Sequence, residues 1–141
     1  MITSLGRYKI VSEIGQGAMG TVYKAVDPII DRTVAIKTIN LNLSRQELEE
    51  YEQRFQQEIK AAGRLNHPNI VTIFDAGEEH DLAYIAMEFL KGKDLVPYTK
   101  PGNLMPLAKV MDVAARVADA LYYAHQNSVV HRDIKPANIM V

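Results

Sequence analysis

Cysteine and tryptophan are both missing from these 141 residues, and aromatic residues make up only 7% of them. Without cysteine the chain forms no disulfide and no thiolate zinc site, and its composition is compatible with a reducing compartment. No apolar run approaches the roughly 20 residues of a membrane span. The amino-terminal stretch MITSLGRYKI also lacks the apolar segment of a signal peptide. These absences predict a cytoplasmic globular protein.

Neither sign of charge is in excess, because 16 Lys and Arg residues are balanced by 17 Asp and Glu residues. A near-neutral chain has no electrostatic footprint for nucleic acid or for an anionic membrane, so we expect no nucleic-acid partner. The length is typical of one domain with a core of its own. The four histidines show no metal-ligand spacing, and we expect His67, His80 and His125 to be solvated or packed.

Hydrophobic alternation predicts five β-strands, and helical spacing predicts two helices. The strands cover residues 8–16, 20–27, 32–39, about 70–76 and 82–88. The first three follow one another with turn residues between them, which is typical of an antiparallel meander. One helix covers 44–65, where Ser44 and Glu47 form a capping-box start, and a second runs from Pro106 to about 126.

A boundary between two units is expected at 89–103, a stretch rich in Gly, Pro and Lys. The helix after it carries one polar stripe (Lys109, Asp112, Arg116 and Asp119), and its remaining surface is apolar. Such a helix is normally buried on most of its circumference. Residues 127–141 are too few to cover it, so we expect a second unit that is cut off and copies that self-associate through the exposed helix.

The stretch GQGAMG (15–20) matches G-x-G-x-x-G. A dinucleotide-binding fold needs a helix directly after such a loop, whereas the following TVYKAV alternates like a strand. A Walker A loop is excluded because Thr21 stands where lysine is required. Two interpretations stay open at this point: a flexible β-turn, or a hairpin whose backbone N–H groups lie close over phosphates.

A lysine closes the apolar stretch VAIK (34–37), where alternation puts Lys37 on the same strand face as Ala35. Buried lysines are rare without a partner. Glu58 lies close to the apolar face of the predicted helix, and a helix packed on the sheet would direct Glu58 toward Lys37. The alternative is that both are solvated surface charges.

The most specific stretch is HRDIKPAN (131–138). It is similar to the catalytic loop H-R-D-L-x-x-x-N of eukaryotic-like (Hanks-type) protein kinases, with Ile134 in the leucine position. The family's glycine loop, its V-A-I-K strand and a helix carrying Glu58 precede it in the family's order. Lys135 is typical of the serine/threonine branch, and Ala-Met-Gly in the glycine loop looks like the bacterial members.

The resemblance extends from about Tyr8 to Val141, because LNHPNIV (65–71) and AMEFLKGKDL (86–95) resemble the family's helix-to-strand turn and its hinge. It implies an α+β, protein-kinase-like fold. Its parts would be an N-lobe with a five-stranded antiparallel sheet and one main helix, a hinge and linker, and the start of a helical C-lobe truncated before the Asp-Phe-Gly segment. These parts correspond to residues 1–88, 89–103 and 104–141.

The same resemblance implies an ATP-dependent protein serine/threonine kinase that uses ATP and Mg²⁺ and acts on a protein substrate. Asp133 would accept or orient the proton of the substrate hydroxyl, and Asn138 would ligate Mg²⁺. Lys135 would neutralise charge on the moving γ-phosphoryl group, while Lys37, held by Glu58, would grip the α- and β-phosphates. Because the family's Asp-Phe-Gly segment is absent from these residues, we expect the fragment to be inactive by itself.

The nucleotide would lie between the glycine loop and the hinge, as the resemblance implies. Its contacts would be the loop glycines Gly15, Gly17 and Gly20, the apolar residues Ile14, Val22, Ala35 and Met140, the gatekeeper Met87, the backbone of Glu88 and Leu90, and Asp94 at the ribose. Core packing is the alternative for the four apolar residues and Met87. Asp94 has its own alternative, which is to cap the short helix after the hinge.

Two other classes of function stay open. One is a non-catalytic kinase lobe that binds a nucleotide or a partner, although retention of Lys37, Glu58, Asp133 and Asn138 argues against a degenerate kinase. The other is a small-molecule phosphotransferase of related fold, which the H-R-D-x-K form of the loop disfavours. Ser128 stands where kinases often carry glycine, and we expect its neighbour Asn127 to take the left-handed conformation instead.

Overall fold

The computed structural model describes residues 2–16, 20–41, 44–79, 81–131 and 134–141, with only the backbone described at 54–56 and 58. The chain forms two compact units. The first consists of Met1–Arg64 and Val71–Phe89, and the second of Leu65–Ile70 and Leu90–Val141. Across the described ranges, no helix combines the length and apolarity that a membrane span requires.

The first unit is one antiparallel sheet with a single helix. Its strands are β1 (Ser4–Leu5), β2 (Tyr8–Gln16), β3 (Thr21–Asp27), β4 (Arg32–Asn40), β5 (Ile73–Glu79) and β6 (Leu82–Glu88), in the spatial order β1-β2-β3-β4-β6-β5. Helix α1 (Arg45–Gly63) contacts β5. Ser44 Oγ accepts from the Glu47 N–H at 3.3 Å and Glu47 Oε2 accepts from the Ser44 N–H at 3.4 Å, which confirms the capping box.

The sheet has six strands rather than the five expected from alternation. The additional strand β1 pairs Ser4 with Lys9 and Leu5 with Tyr8, across a turn where Gly6 has a φ of 56°. Two residues are too short to produce an alternating pattern, so sequence periodicity could not reveal this strand. It nevertheless contributes to packing, because Leu5 is fully buried and pairs with the fully buried Tyr8 of β2.

Strand β5 begins at Ile73 rather than near residue 70. A turn centred on His67 explains the difference, because the Ile70 N–H donates to the His67 carbonyl at 3.1 Å and the Asn69 N–H donates to His67 Nδ1 at 3.0 Å. The turn keeps residue 70 out of the strand, and Pro68 and Asn69 are residues typical of turns.

The core of the first unit lies on one face of this sheet. Its buried members are Leu5, Tyr8, Ala25, Val34, Ile36, Tyr84 and Ala86. Alternation along β4 places Val34 and Ile36 on the core face and directs Ala35 and Lys37 to the opposite face. The register of β4 with its neighbours therefore gives the sheet one face packed as core and an opposite face available for functional side chains.

A buried carboxylate, that of Asp27, lies at the end of β3. Asp27 is fully buried, and its carboxylate accepts from Arg7 Nε at 3.0 Å and from the Ile29 N–H at 3.0 Å. Burial opposes ionisation, but the hydrogen bonds from Ile29 and Arg7 outweigh it and lower the pKa of Asp27. Burial, reinforced by the Asp75 carboxylate, raises the pKa of the neighbouring Tyr8.

The second unit is helical. It contains a short 3-10 helix (Val96–Thr99), helix α2 (Leu107–Gln126) and a second 3-10 helix (Pro136–Asn138). Pro106 is the N-cap residue of α2, as the sequence predicted. This sheet-then-helix arrangement confirms the α+β class.

Helix α2 packs against the turn at 65–70 through polar as well as apolar contacts. His67 Nε2 lies 2.9 Å from Asp119 Oδ2, and the His67 ring lies 5.3 Å from that of Tyr123, whose hydroxyl accepts from the Asn66 N–H at 2.9 Å. Only Ala120 and Ala124 of this helix are buried. Most of this apolar helix is therefore uncovered, which is the exposed helix that the sequence predicted.

The carboxyl end of α2 is a Schellman motif. The Val129 N–H donates to the Ala124 carbonyl at 2.9 Å and the Ser128 N–H donates to the His125 carbonyl at 3.1 Å. The residue with left-handed backbone is Ser128, with a φ of 63°, whereas Asn127 has a φ of −97°. The expectation for Asn127 was thus wrong by one residue, because the two nested hydrogen bonds of the motif require the left-handed residue after the cap.

We predict that Ser128→Gly raises the free energy of unfolding by about 1 kcal/mol, because glycine adopts the left-handed conformation without the Cβ clash that serine carries. Chemical denaturation of both proteins measures this difference. Asn127→Gly is the matched control and should lower stability, since its backbone already suits an ordinary residue. A Ser128→Gly protein no more stable than the original would contradict the strain assigned to this position.

Candidate functional site

The described residues of the glycine-rich stretch, Gly15, Gln16 and Gly20, lie at the end of β2 and directly before β3. The last registered pairs before the tip are Gly15 with Val22 and Gln16 with Thr21. A register shift between Glu13 and Gly15 marks a bulge in β2 just before the loop. The dinucleotide-binding alternative requires a helix after the loop, and the strand β3 that follows excludes it.

The strand after the loop shares a sheet face with the predicted lysine. Val22 pairs with Lys37 across β3 and β4, and Lys37 pairs in turn with Ile85 of β6. Directly paired residues of antiparallel strands point to the same face. Val22 and Lys37 therefore stand side by side on the face opposite the core.

A second row on this face lies two residues farther along. Ala35 pairs with Lys24 on one side and with Met87 on the other. The backbone thus places four of the predicted nucleotide contacts, Val22, Ala35, Lys37 and Met87, on one continuous face. The buried core cluster lies on the opposite face, although Ala35 is itself a buried hydrophobic residue.

Exposure differs sharply across this surface. Ala35 is 9% exposed, whereas Ile14, at the end of β2 near the loop, is 51% exposed. Lys37 is an exposed side chain. Ala35 is thus a small, buried residue with a more accessible neighbour, Lys37, on the same face.

Strand β6 ends at the residues predicted to form the hinge. The Glu88 N–H donates to the Thr72 carbonyl at 2.9 Å, so this backbone donor is engaged within the sheet. Met87 pairs with both Ala35 and Ile73. Leu90 begins the long segment of the second unit and is half-buried there.

The predicted catalytic loop belongs to the second unit, where backbone hydrogen bonds hold its carboxyl half. The Leu95 N–H donates to the carbonyls of Pro136 and Ile139 at 3.1 and 3.0 Å, and the Val141 N–H donates to the Lys93 carbonyl at 2.9 Å. An isolated antiparallel bridge joins Asp94 to Met140.

Lys135 and Asn138 are placed by one turn of 3-10 helix. The Asn138 N–H donates to the Lys135 carbonyl at 2.9 Å, and both side chains are exposed. Lys135 itself has extended backbone with a φ of −157°. An ammonium and a carboxamide thus lie three residues apart at the start and end of one turn.

Asp94 has a local structural partner. Its Oδ1 accepts from the Val96 N–H at 2.9 Å, at the first residue of the 3-10 helix. This bond is an Asx turn just before the helix, whose own N-cap residue, Leu95, has no side-chain cap. Ribose contact by Asp94 stays a prediction.

Three of the predicted site residues lie outside the described part of the chain: Gly17 and Asp133 altogether, and Glu58 for its side chain. The Lys37–Glu58 pair and the position of the Asp133 carboxylate therefore stay predictions. Among the residues that are described, no group of three or more His, Asp or Glu side chains is arranged to hold a metal ion.

The structure adds one residue to this face that sequence reasoning missed. Lys24 shares the face of Ala35, and its Nζ lies 5.1 Å from the centre of the Phe89 ring. A cation over an aromatic ring is an attractive arrangement. The alternation of β3, which puts residues 22 and 24 on one face, was the signal that could have identified Lys24.

Comparisons with known proteins agree on one family. The sequence profile described as the protein kinase domain matches residues 8–141. The serine/threonine-protein kinase PrkC of Bacillus subtilis is 44% identical over 137 residues, which cover 96% of this chain and 21% of that protein. The serine/threonine-protein kinase PksC of Streptomyces coelicolor is 39% identical over 145 aligned residues, covering 96% of this chain and 26% of that protein.

Solved structures give the same picture. The crystal structure of the Mycobacterium tuberculosis PknI kinase domain superposes with a TM-score of 0.84 at 32% identity. The match covers 99% of this chain and 57% of that one. The chain therefore spans little more than half of a solved kinase domain, and 21% and 26% of the two curated relatives.

The two glycines that flank the loop tip differ in their surroundings. A Cβ added to Gly20 would lie 1.9 Å from the Thr38 carbonyl oxygen, whereas a Cβ added to Gly15 meets nothing within 4 Å. We predict that Gly20→Ala lowers the free energy of unfolding by about 3 kcal/mol through this overlap with backbone. Gly15→Ala, the matched control, should change it by no more than about 0.5 kcal/mol. Thermal unfolding of the two variants makes the comparison, and equal stabilities would contradict the close approach at Gly20.

Proposed function

The chain belongs to the protein kinase domain family, and on that premise we propose that it is the nucleotide-binding part of an ATP-dependent protein serine/threonine kinase. Such an enzyme transfers the γ-phosphate of ATP to a Ser or Thr hydroxyl of a protein substrate. The observation that carries the proposal is the sheet face shared by Val22, Ala35, Lys37 and Met87 beside a glycine-rich hairpin. We divide the chain into an N-lobe (1–88), a hinge and linker (89–103) and the start of a C-lobe (104–141).

Within the N-lobe we assign the phosphates to the hairpin and to Lys37. Backbone N–H groups at Gly15, Gly17 and Gly20 would donate to phosphate oxygens, since glycine leaves the backbone unobstructed. The Lys37 ammonium, held by Glu58, would neutralise the α- and β-phosphates. Support comes from the pairing of Lys37 with Val22, which aligns the lysine with the strand that leaves the loop.

We assign the adenine to the apolar part of the same surface. Ala35, buried and small, would form the floor, with Met87 as gatekeeper and Glu88 and Leu90 offering backbone groups. Ile14, Val22 and Met140 would enclose the ring. The Asp94 carboxylate already accepts from the Val96 N–H, so its second oxygen would carry any ribose contact.

In the C-lobe we assign chemistry to the loop that contains Asp133, Lys135 and Asn138. Asp133 would orient the substrate hydroxyl and receive its proton, and Lys135 would neutralise charge on the γ-phosphoryl group. Asn138 would offer Mg²⁺ a carboxamide oxygen, a neutral ligand of the kind that this cation accepts. When bound, Mg²⁺ supplies charge neutralisation at the phosphates.

We also propose that these residues lie in the cytoplasm and that their partner is a protein substrate. A cytoplasmic position of these residues is consistent with the absence of cysteine. The partner is a protein that offers a Ser or Thr hydroxyl. The alternative is a non-catalytic lobe that binds a nucleotide or a partner without turnover. A phosphate-transfer assay distinguishes it from a kinase.

We predict that ATP with Mg²⁺ stabilises this chain against heat. At an ATP concentration about 100 times Kd, binding adds about 2.7 kcal/mol, which for this size corresponds to a rise in Tm of roughly 10 °C. Lys37→Met should remove most of the rise, while Lys109→Met on the exposed side of α2 should keep it. A wild-type chain whose Tm does not respond to ATP and Mg²⁺ would contradict the proposed function.

The same preparations separate binding from turnover. We propose that residues 1–141 alone transfer no phosphate to a generic protein substrate, because no Asp-Phe-Gly segment is among them. Magnesium-dependent transfer that disappears in Asp133→Asn would overturn this part. ATP binding without transfer agrees with both a truncated kinase and a non-catalytic lobe, and a protein extended through an Asp-Phe-Gly segment then distinguishes the two by its turnover.

We further propose that copies of this chain associate through α2. Leu107, Met111 and Tyr122 are 74%, 64% and 63% exposed, and together they form a sizeable apolar surface. Sedimentation at tens of micromolar should detect dimers or larger species, and Met111→Glu should shift the population toward monomer. A monomeric wild-type chain under these conditions would refute the association.

A further inference from the structure

A polar side chain is buried directly beside the proposed phosphate-binding lysine. Thr38 follows Lys37 in β4 and is 3% exposed. Because strand residues alternate, Lys37 points to the site face and Thr38 points to the core face. A buried hydroxyl in an apolar core is costly unless it is hydrogen-bonded, so its partners indicate why it is there.

Both hydrogen bonds of the Thr38 hydroxyl go to one residue at the end of the glycine loop. Thr38 Oγ1 donates to the Thr21 carbonyl at 2.8 Å and accepts from the Thr21 N–H at 3.1 Å. Backbone register between β3 and β4 runs from Asp27↔Arg32 to Val22↔Lys37. At the next position the Thr38 hydroxyl, instead of a backbone group of β4, bonds to the Thr21 backbone. This extends the pairing of the two strands by one residue.

The backbone of Thr38 contacts the same end of the loop. Its carbonyl lies so close to Gly20 that a Cβ there would come within 1.9 Å of the oxygen. Residue 38 therefore contacts both residues that close the loop, Gly20 through its carbonyl and Thr21 through its hydroxyl. Lys37 is the adjacent residue, so one short segment of β4 carries the lysine and positions the hairpin.

We infer that Thr38 is a positioning residue for phosphate binding, one that sets the place of the glycine hairpin relative to Lys37. The inference rests on the proposed function and deepens it. Thr38 faces away from the nucleotide surface, so it acts through Thr21 and Gly20 rather than by contact with the ligand. Its removal should weaken interactions with the phosphates and spare those with adenosine.

The experiment compares affinities for ATP with Mg²⁺ and for adenosine, using the whole 141-residue chain below its unfolding temperature. Thr38→Val keeps the shape of the side chain and leaves the Thr21 N–H and carbonyl without their side-chain partner. We expect about a tenfold loss of ATP affinity, equivalent to about 1.4 kcal/mol, and an adenosine affinity within about twofold of wild type. Thr38→Ser keeps the hydroxyl and should restore ATP binding.

Thr33→Val is the matched control. It makes the same substitution in the same strand, but Thr33 is exposed and pairs with Val26 away from the loop. It should leave both affinities unchanged. Amide hydrogen exchange at Thr21 supplies an independent readout, since the Thr21 N–H should exchange faster in Thr38→Val and return to wild-type protection in Thr38→Ser.

Each outcome decides something. A wild-type chain that binds no ATP refutes the proposed function and this inference with it, whereas ATP binding that is equal in wild type and Thr38→Val refutes the inference alone. If Thr38→Val loses ATP and adenosine affinity to the same extent, Thr38 has a general structural role, and this result also refutes the inference. If Thr38→Val does not fold, Thr38→Ser carries the test, because a folded serine variant that loses ATP affinity contradicts the hydroxyl's assigned function.

Discussion

Backbone pairing of β4 with β3 on one side and β6 on the other is the constraint on which the first unit depends. Through it, Val34 and Ile36 enter the core while Ala35 and Lys37 face the other way. A slip of one residue would exchange the two sets and bury the lysine among apolar side chains. The core and the candidate site are thus two faces of the same hydrogen-bonded ladder, and what stabilises one determines the other.

Closure of the glycine hairpin follows from this ladder. Strand pairing brings Thr21 and Gly20 beside Thr38, near the end of β4. There the Thr38 hydroxyl hydrogen-bonds to Thr21, and the Thr38 carbonyl lies against Gly20. Only Gly20 of the two described loop glycines lacks room for a side chain, so the glycine requirement there is steric and at Gly15 it is not. In the second unit, backbone hydrogen bonds between residues 136–141 and the segment 93–95 hold the turn that carries Lys135 and Asn138.

Much of this fold was predictable because it depends on local patterns. Alternation identified β2, β3, β4 and β6 nearly to the residue, and the capping box at Ser44 marked the start of α1. The sequence predictions were wrong where the local pattern of residues carries no information about the structure. Strand β1 is too short to alternate, and the His67 turn overrides strand propensity at residue 70. The left-handed residue at the end of α2 is set by the two nested hydrogen bonds of the Schellman motif rather than by residue preference.

The candidate site divides in the same way. Its residue types and their order along the chain were readable from motifs, and the common face of Val22, Ala35, Lys37 and Met87 follows from alternation combined with strand pairing. Lys24 over Phe89 and the hydroxyl of Thr38 on Thr21 carry no motif.

Sequence alone determined the family to which the chain belongs and the periodicity of the elements, since motifs and alternation are both properties of residues close together in the chain. Tertiary structure decided which strands pair, which side chain completes a ladder and how much of α2 is covered, because each depends on contacts between residues far apart in the chain.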